Sequence, residues 1–141
     1  MHRLLIPAVL VSLLACMLFP SVSFTEDRDT VLLAQTLYAL GKDESYDVKL
    51  ALGTVVMNRV ENAWFDDTLG EVLREQQQFP AGSRYDEDSL RAAHAVLSGV
   101  RVLDESALYY QPVDASEPLN NTFMVAQLGG FSFFSENGRV L

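Results

Sequence analysis

The spacing of apolar residues changes once along this chain. Between Asp29 and Leu97 apolar side chains recur every three to four positions, the spacing of one helix face. After Ala107, short apolar runs separated by turn residues take over. A chain that reads as helices first and strands afterwards builds an α+β domain, with about four helices followed by a small antiparallel sheet.

Within that frame the individual elements can be placed. Val31, Leu32, Leu33, Leu37 and Tyr38 predict a first helix over 29–40. Residues 41–45 break the pattern, and Ser45 is a good N-cap for a second helix with Val48, Leu52, Val55, Val56 and Val60 on its apolar face. Trp64 and Phe65 are expected to follow as aromatic plugs. Thr68-Leu69-Gly70-Glu71 fits a capping box opening a short third helix, which makes Glu71 a cap rather than a catalyst. The stretch 76–85 lacks periodicity and reads as an exposed loop carrying Phe79 and Tyr85. Leu90, Ala93, His94 and Leu97 share the stripe of a fourth helix that stops at Gly99. Strands are expected at 107–110, 122–126 and 131–134, with Gly129-Gly130 turning the last hairpin.

The segment before the first helix has another character. Met1-His2-Arg3, an apolar run from Leu4 to Phe19 and then Pro20-Ser21-Val22-Ser23 form the pattern of a secretory signal over residues 1–23. The run is about 16 residues, short of the roughly 20 that cross a bilayer as a helix, so cleavage is expected and an uncleaved signal would be the one membrane anchor. The only cysteine, Cys16, lies inside it and is followed by further apolar residues, which reads as packing rather than lipid attachment. Residues 24–141 are then an exported single domain of the periplasm or extracellular cell envelope, a length at which one hydrophobic core is usual.

All 19 acidic residues follow the signal, and the formal net charge is −9. A surface of this sign repels phosphate backbones and anionic lipid, so nucleic acid is excluded as a partner while a glycan is permitted. Beyond the signal the chain has one histidine, His94, and no cysteine, too few for a zinc site. No Gly-x-Ser-x-Gly elbow and no Gly-rich phosphate cradle is present, so neither a serine relay nor a nucleotide cofactor is expected. Carboxylates remain. They suit glycosidic bond cleavage, where a carboxylic acid protonates the leaving oxygen. Asp43, Glu44 and Asp47 crowd beside Tyr46 at the corner between the first two helices, a pattern equally natural for a solvated helix start favoured by the helix dipole.

The series Gln35-Thr36-Leu37-Tyr38-Ala39, Glu44-Ser45-Tyr46, Ala51 to Val56 and Asn58-Arg59-Val60 resembles the first half of SleB-type cell wall hydrolases. Their motif runs approximately Tyr-Ala-Glu-Ala-Arg-Gly-Glu-x-Tyr, followed by an apolar helix ending in Asn-Arg, and Tyr38 through Arg59 keeps this register without a gap. Gln78-Phe79, Leu90-Arg91-Ala92-Ala93 and Ala107-Leu108-Tyr109-Tyr110 with Pro112 look like the family's later segments. The resemblance, spanning about Val31 to Phe134, implies a small lysozyme-like domain. It also implies cleavage between N-acetylmuramic acid and N-acetylglucosamine in lytic transglycosylase fashion, one carboxyl serving as acid and then base with no cofactor or metal. It puts the general acid at the motif's first Glu, where this chain has Leu40, which leaves the second Glu, Glu44, as the acid of an active enzyme, with Tyr46, Gln78, Phe79 and Tyr109 shaping a groove for peptidoglycan strands.

The chain also departs from the motif. Leu40 stands where the first Glu is expected, Lys42 replaces the Arg and Asp43 the Gly. The strand that should carry an Asn is one residue shorter at Gln111, and Phe131 replaces a His. These departures imply an alternative, a degenerate member that binds peptidoglycan or a partner hydrolase without cutting.

Overall fold

Three of the four helices among the described residues begin where a short polar side chain takes up an orphan backbone donor. Ser45 Oγ accepts from the Val48 N–H at 3.4 Å, Thr68 Oγ1 from Glu71 at 3.3 Å and Asp86 Oδ1 from Ser89 at 2.8 Å. A computed structural model describes residues 27–75 and 78–136 of the chain; the predicted signal and Cys16 lie outside them. The elements are α1 (Arg28–Gly41), α2 (Tyr46–Val60), α3 (Leu69–Arg74), α4 (Glu87–Leu97), β1 (Tyr109–Pro112), β2 (Thr122–Leu128) and β3 (Phe131–Glu136). This is the α+β order expected from the change of period. The stop at Gly99 is a Schellman turn: with φ at +110°, the Gly99 N–H donates to Val96 O and the Val100 N–H to Ala95 O. Among the described residues no helix is long and apolar enough to cross a membrane.

The three strands are antiparallel in the order β1-β3-β2, so the last strand is the central one. Tyr110 pairs with Phe133 on one side of it and Leu128 with Phe131 on the other. Phe131 and Phe133 carry the sheet into the same core as Leu33, Leu37, Leu52 and Val96 from the helices. An irregularity between Met124 and Ala126 leaves Val125 without a direct partner in the register.

Helix α2 is the axis of the domain. The periodicity predicts one apolar face, but every residue from Val48 to Val56 is buried, as are Asn58 and Arg59. The reason is tertiary: α1, α3, α4 and β1 all pack on α2, so even Lys49, 2% exposed, lies inside. Three further expectations are corrected. Trp64 is no plug but 70% exposed; Phe79, expected on an exposed loop, is buried; and α4 turns Ser89, Ala92, Ala93 and Val96 inward, which leaves His94 outside.

Candidate functional site

The corner between α1 and α2 places Glu44. The Glu44 N–H donates to Gly41 O at 3.0 Å, closing the turn, and Ser45 starts the next helix at once, so the residue has little backbone freedom. Of the crowded acids, Asp43 and Asp47 are exposed and Glu44 is half-buried. Its Oε1 accepts from the Gly130 N–H at 3.1 Å, across 86 residues. Gly129, with φ at +51°, and Gly130 form the β2–β3 turn against which the carboxyl rests. A Cβ at Gly129 would come within 2.4 Å of Glu44 Oε2 and one at Gly130 within 2.4 Å of Oε1. A side chain at either glycine would push the carboxyl aside, and at Gly129 it would also meet Val48 Cγ2 at 2.8 Å; a hydrogen bond to a charged group is worth about 1.5–3 kcal/mol. Leu40, one helical turn earlier, is half-buried and packs against the core.

Tyr46 sits on the first turn of α2 but faces α4, where the Arg91 guanidinium lies 4.8 Å from its ring centre. The other three nominated residues gather at the opposite end of α2, around Arg59. That guanidinium is 1% exposed and donates to Leu108 O at 2.6 Å, Glu75 Oε2 at 3.3 Å and Gln78 Oε1 at 3.2 Å. Phe65, Phe79 and Tyr109 surround it with ring centres at 5.0, 4.9 and 5.3 Å. Burial pushes the Arg59 pKa down, opposed by the charge of Glu75 and by Tyr109 and Tyr110. Burial also pushes the Tyr110 hydroxyl up, with Arg59 acting the other way.

The five nominated residues therefore form two groups. Glu44 and Tyr46 lie at the start of α2, while Gln78, Phe79 and Tyr109 meet near its end, about 20 Å further along at the usual helical rise. A row of rings links them: Phe79 stacks on Tyr110 at 5.6 Å, Tyr110 meets Phe131 at 6.0 Å, and Phe131 follows the Gly130 that holds Glu44. The Tyr110 hydroxyl also donates to Gln78 O, fastening the 78–79 loop to β1. Phe79 is thus covered by Tyr110 and Arg59, and the loop is shaped from beneath by an arginine to which sequence reasoning gave no role. Its signal was the polar Asn-Arg pair closing an apolar helix. Gly129 and Gly130 were likewise read only as a turn, although they seat the carboxyl. Among the described residues no group of three His, Cys, Asp or Glu side chains is arranged to hold a metal ion.

Comparison with known proteins adds an independent line. The family model described as Cell Wall Hydrolase matches residues 43–134, beginning just after Leu40 and Lys42. A spore cortex-lytic enzyme of Oceanobacillus iheyensis is 33% identical over 99 residues, covering 64% of this chain and 36% of that protein. The spore cortex-lytic enzyme of Bacillus subtilis is 33% identical over 98 residues, covering 65% and 32%. The chain thus spans about a third of the length of these relatives. The catalytic domain of the Bacillus cereus SleB protein superposes with a TM-score of 0.69 at 23% identity, covering 76% of this chain and 89% of that one. The catalytic domain of the germination-specific lytic transglycosylase SleB from Bacillus anthracis gives a TM-score of 0.70 at 21% identity, covering 83% and 100%. These two likenesses show that the fold is shared.

Proposed function

The chain belongs to the cell wall hydrolase family, and from that premise we propose that it is an exported peptidoglycan hydrolase of the lytic transglycosylase type, with residues 1–23 as its signal and Glu44 as its acid. One observation carries the chemical part: a half-buried carboxyl, set by a helix corner, with Oε1 tied to the Gly130 N–H. An acid catalyst must be oriented before it is useful, and anchoring one oxygen fixes the direction of the other. In the proposed reaction Glu44 gives its proton to the glycosidic oxygen as the bond between muramic acid and glucosamine breaks. The carboxylate then takes the proton of the muramyl hydroxyl that closes the internal ring. Acid and base are the same group, so the balance needs neither a second carboxylate nor a metal.

The test is digestion of purified sacculi by the protein, with released muropeptides separated and identified. Ring-closed products are expected, and Glu44→Gln should slow their release by at least about 100-fold, the usual contribution of a positioned acid. Undiminished release by Glu44→Gln would clear Glu44 of the acid role.

A second reading, a peptidoglycan-binding domain that does not cut, is favoured by Leu40. This residue occupies the first acidic position of the motif and packs its side chain on the core. It predicts that the protein sediments with sacculi but releases nothing, and that Leu40→Glu gains a cleavage activity.

A further inference from the structure

At the end of α2 remote from Glu44 the chain turns away through Glu61, Asn62 and Trp64, leaving a cavity of about 610 Å³. Its other walls are the loop carrying Asp104 and Ser106 and the end of β3 at Ser135 and Glu136. A second hollow of about 310 Å³ beside Tyr109 and Thr122 shares Glu136, so the two adjoin along the end of the sheet. The larger one has the size of a ligand site. Its walls are braced from behind: the Asn58 amide donates to Asp104 O at 2.9 Å and Ala107 O at 3.1 Å, and the Tyr109 hydroxyl to Glu136 Oε1 at 2.6 Å.

From this geometry we infer that the cavity is a second saccharide-binding site, in which the Trp64 indole stacks on the C–H face of a pyranose ring while Asn62, Ser106, Ser135 and Glu136 meet its hydroxyls. Trp64 keeps 70% of its surface in solvent on the rim, a large apolar plane that gains by being covered. A sugar ring is apolar on one face and hydroxylated at its edge, and the site pairs a flat ring with groups that both donate and accept. An apolar peptide would leave those groups without partners, at a cost. An anionic ligand is opposed by a chain of net charge −9. Four carboxylates, Glu61, Asp104, Glu105 and Glu136, also line the cavity; Glu61 faces Arg101 at 2.6 Å, Glu136 Oε1 accepts from Tyr109, and Asp104 accepts from the Ser106 N–H at 2.9 Å, which makes a lysine-containing stem peptide the competing ligand. The inference rests on the proposed function for the identity of the polymer, the glycan of peptidoglycan. Two attachment points along α2 would hold a strand at a fixed distance from Glu44.

The chain has a single tryptophan, so its emission reports on this site alone. Titrating the whole protein with the N-acetylglucosamine tetramer should shift or quench that emission in a saturable way, and equally in Glu44→Gln. Trp64→Ala should lower retention on insoluble peptidoglycan by about fivefold, the loss of one aromatic stacking contact, with an unchanged far-ultraviolet dichroism spectrum. An emission that ignores the tetrasaccharide, or responds only to a free lysine-containing stem peptide, overturns the saccharide site. An emission that responds in a protein that releases no muropeptides leaves this site standing and defeats only the cleavage reading.

Discussion

At the C-terminal end of α2 the Arg59 guanidinium has three acceptors and three aromatic rings around it and almost no contact with water, whereas at the N-terminal end the Glu44 carboxyl is half-buried and rests on one glycine turn. Both residues match the family motif, yet one is built as a rivet and the other as a held but accessible group. A fully enclosed charge with all three of its nitrogens hydrogen-bonded fixes neighbouring segments in place. A carboxyl tied at one oxygen retains the capacity for proton transfer. Matching a motif thus identifies two different jobs, and only the surroundings separate them.

Breaking the rivet should have the largest effect. Arg59→Met strands Leu108 O, Glu75 and the 78–79 loop and is expected to cost about 3–5 kcal/mol, read as a lower midpoint in urea unfolding. Arg59→Lys should recover little, since a point charge cannot reach three acceptors spread across a planar fork. A loss below about 1 kcal/mol in Arg59→Met would remove the contrast between the two ends.

Next in size is the seat of the carboxyl. Gly129→Ala puts a side chain in left-handed backbone, about 1–2 kcal/mol of strain, and drives its Cβ into Glu44 Oε2 and Val48 Cγ2. Combining it with Glu44→Ala should relieve the carboxyl contact but not the strain. A double-mutant cycle on thermal or urea stability is therefore expected to give a coupling of about 0.5–3 kcal/mol. Additive losses would show that the turn does not sense the carboxyl.

Glu44→Gln alone should change stability by less than about 1 kcal/mol, because the amide oxygen still accepts from the Gly130 N–H. A small cost in the unfolding curve beside a large loss of muropeptide release is the signature that sharpens the comparison.

The smallest effect concerns the partly exposed pair of Lys49 with Asp86, 3.6 Å apart. Hydrogen bonding from Ser89, assisted by the Lys49 ammonium, holds the Asp86 carboxyl below its usual range. Because the folded-state value is the lower one, the contribution is complete above about pH 4 and is lost as the pH falls through the folded value. Asp86→Asn keeps the helix cap and should flatten the acid limb of a melting-temperature profile. An unchanged limb would rule Asp86 out as a source of the acid sensitivity.

Much of the fold was legible because helices and turns are specified by neighbours. The caps at Ser45 and Thr68, the stop at Gly99 and the last hairpin all lie where short-range chemistry puts them. Less of the site was. Asp43, Glu44 and Asp47 are equivalent by composition, and what distinguishes Glu44 is a glycine turn far away in sequence. Phe79 reads as a loop aromatic until Arg59 and Tyr110 cover it, and Trp64 as a plug although it is 70% exposed.

What the residue order decided unaided was the change of period, the helix boundaries and the family register, since each depends on side chains within about one helical turn or one hairpin of each other. Only tertiary structure decided that α2 is buried on all sides, that Arg59 faces inward with its partners, and that one acid of three turns toward the sheet. Those outcomes depend on contacts such as Arg59 to Leu108, 49 residues apart, and Glu44 to Gly130, 86 apart. A local pattern carries no information about which distant backbone group will stand opposite a side chain, because that is settled when the layers pack.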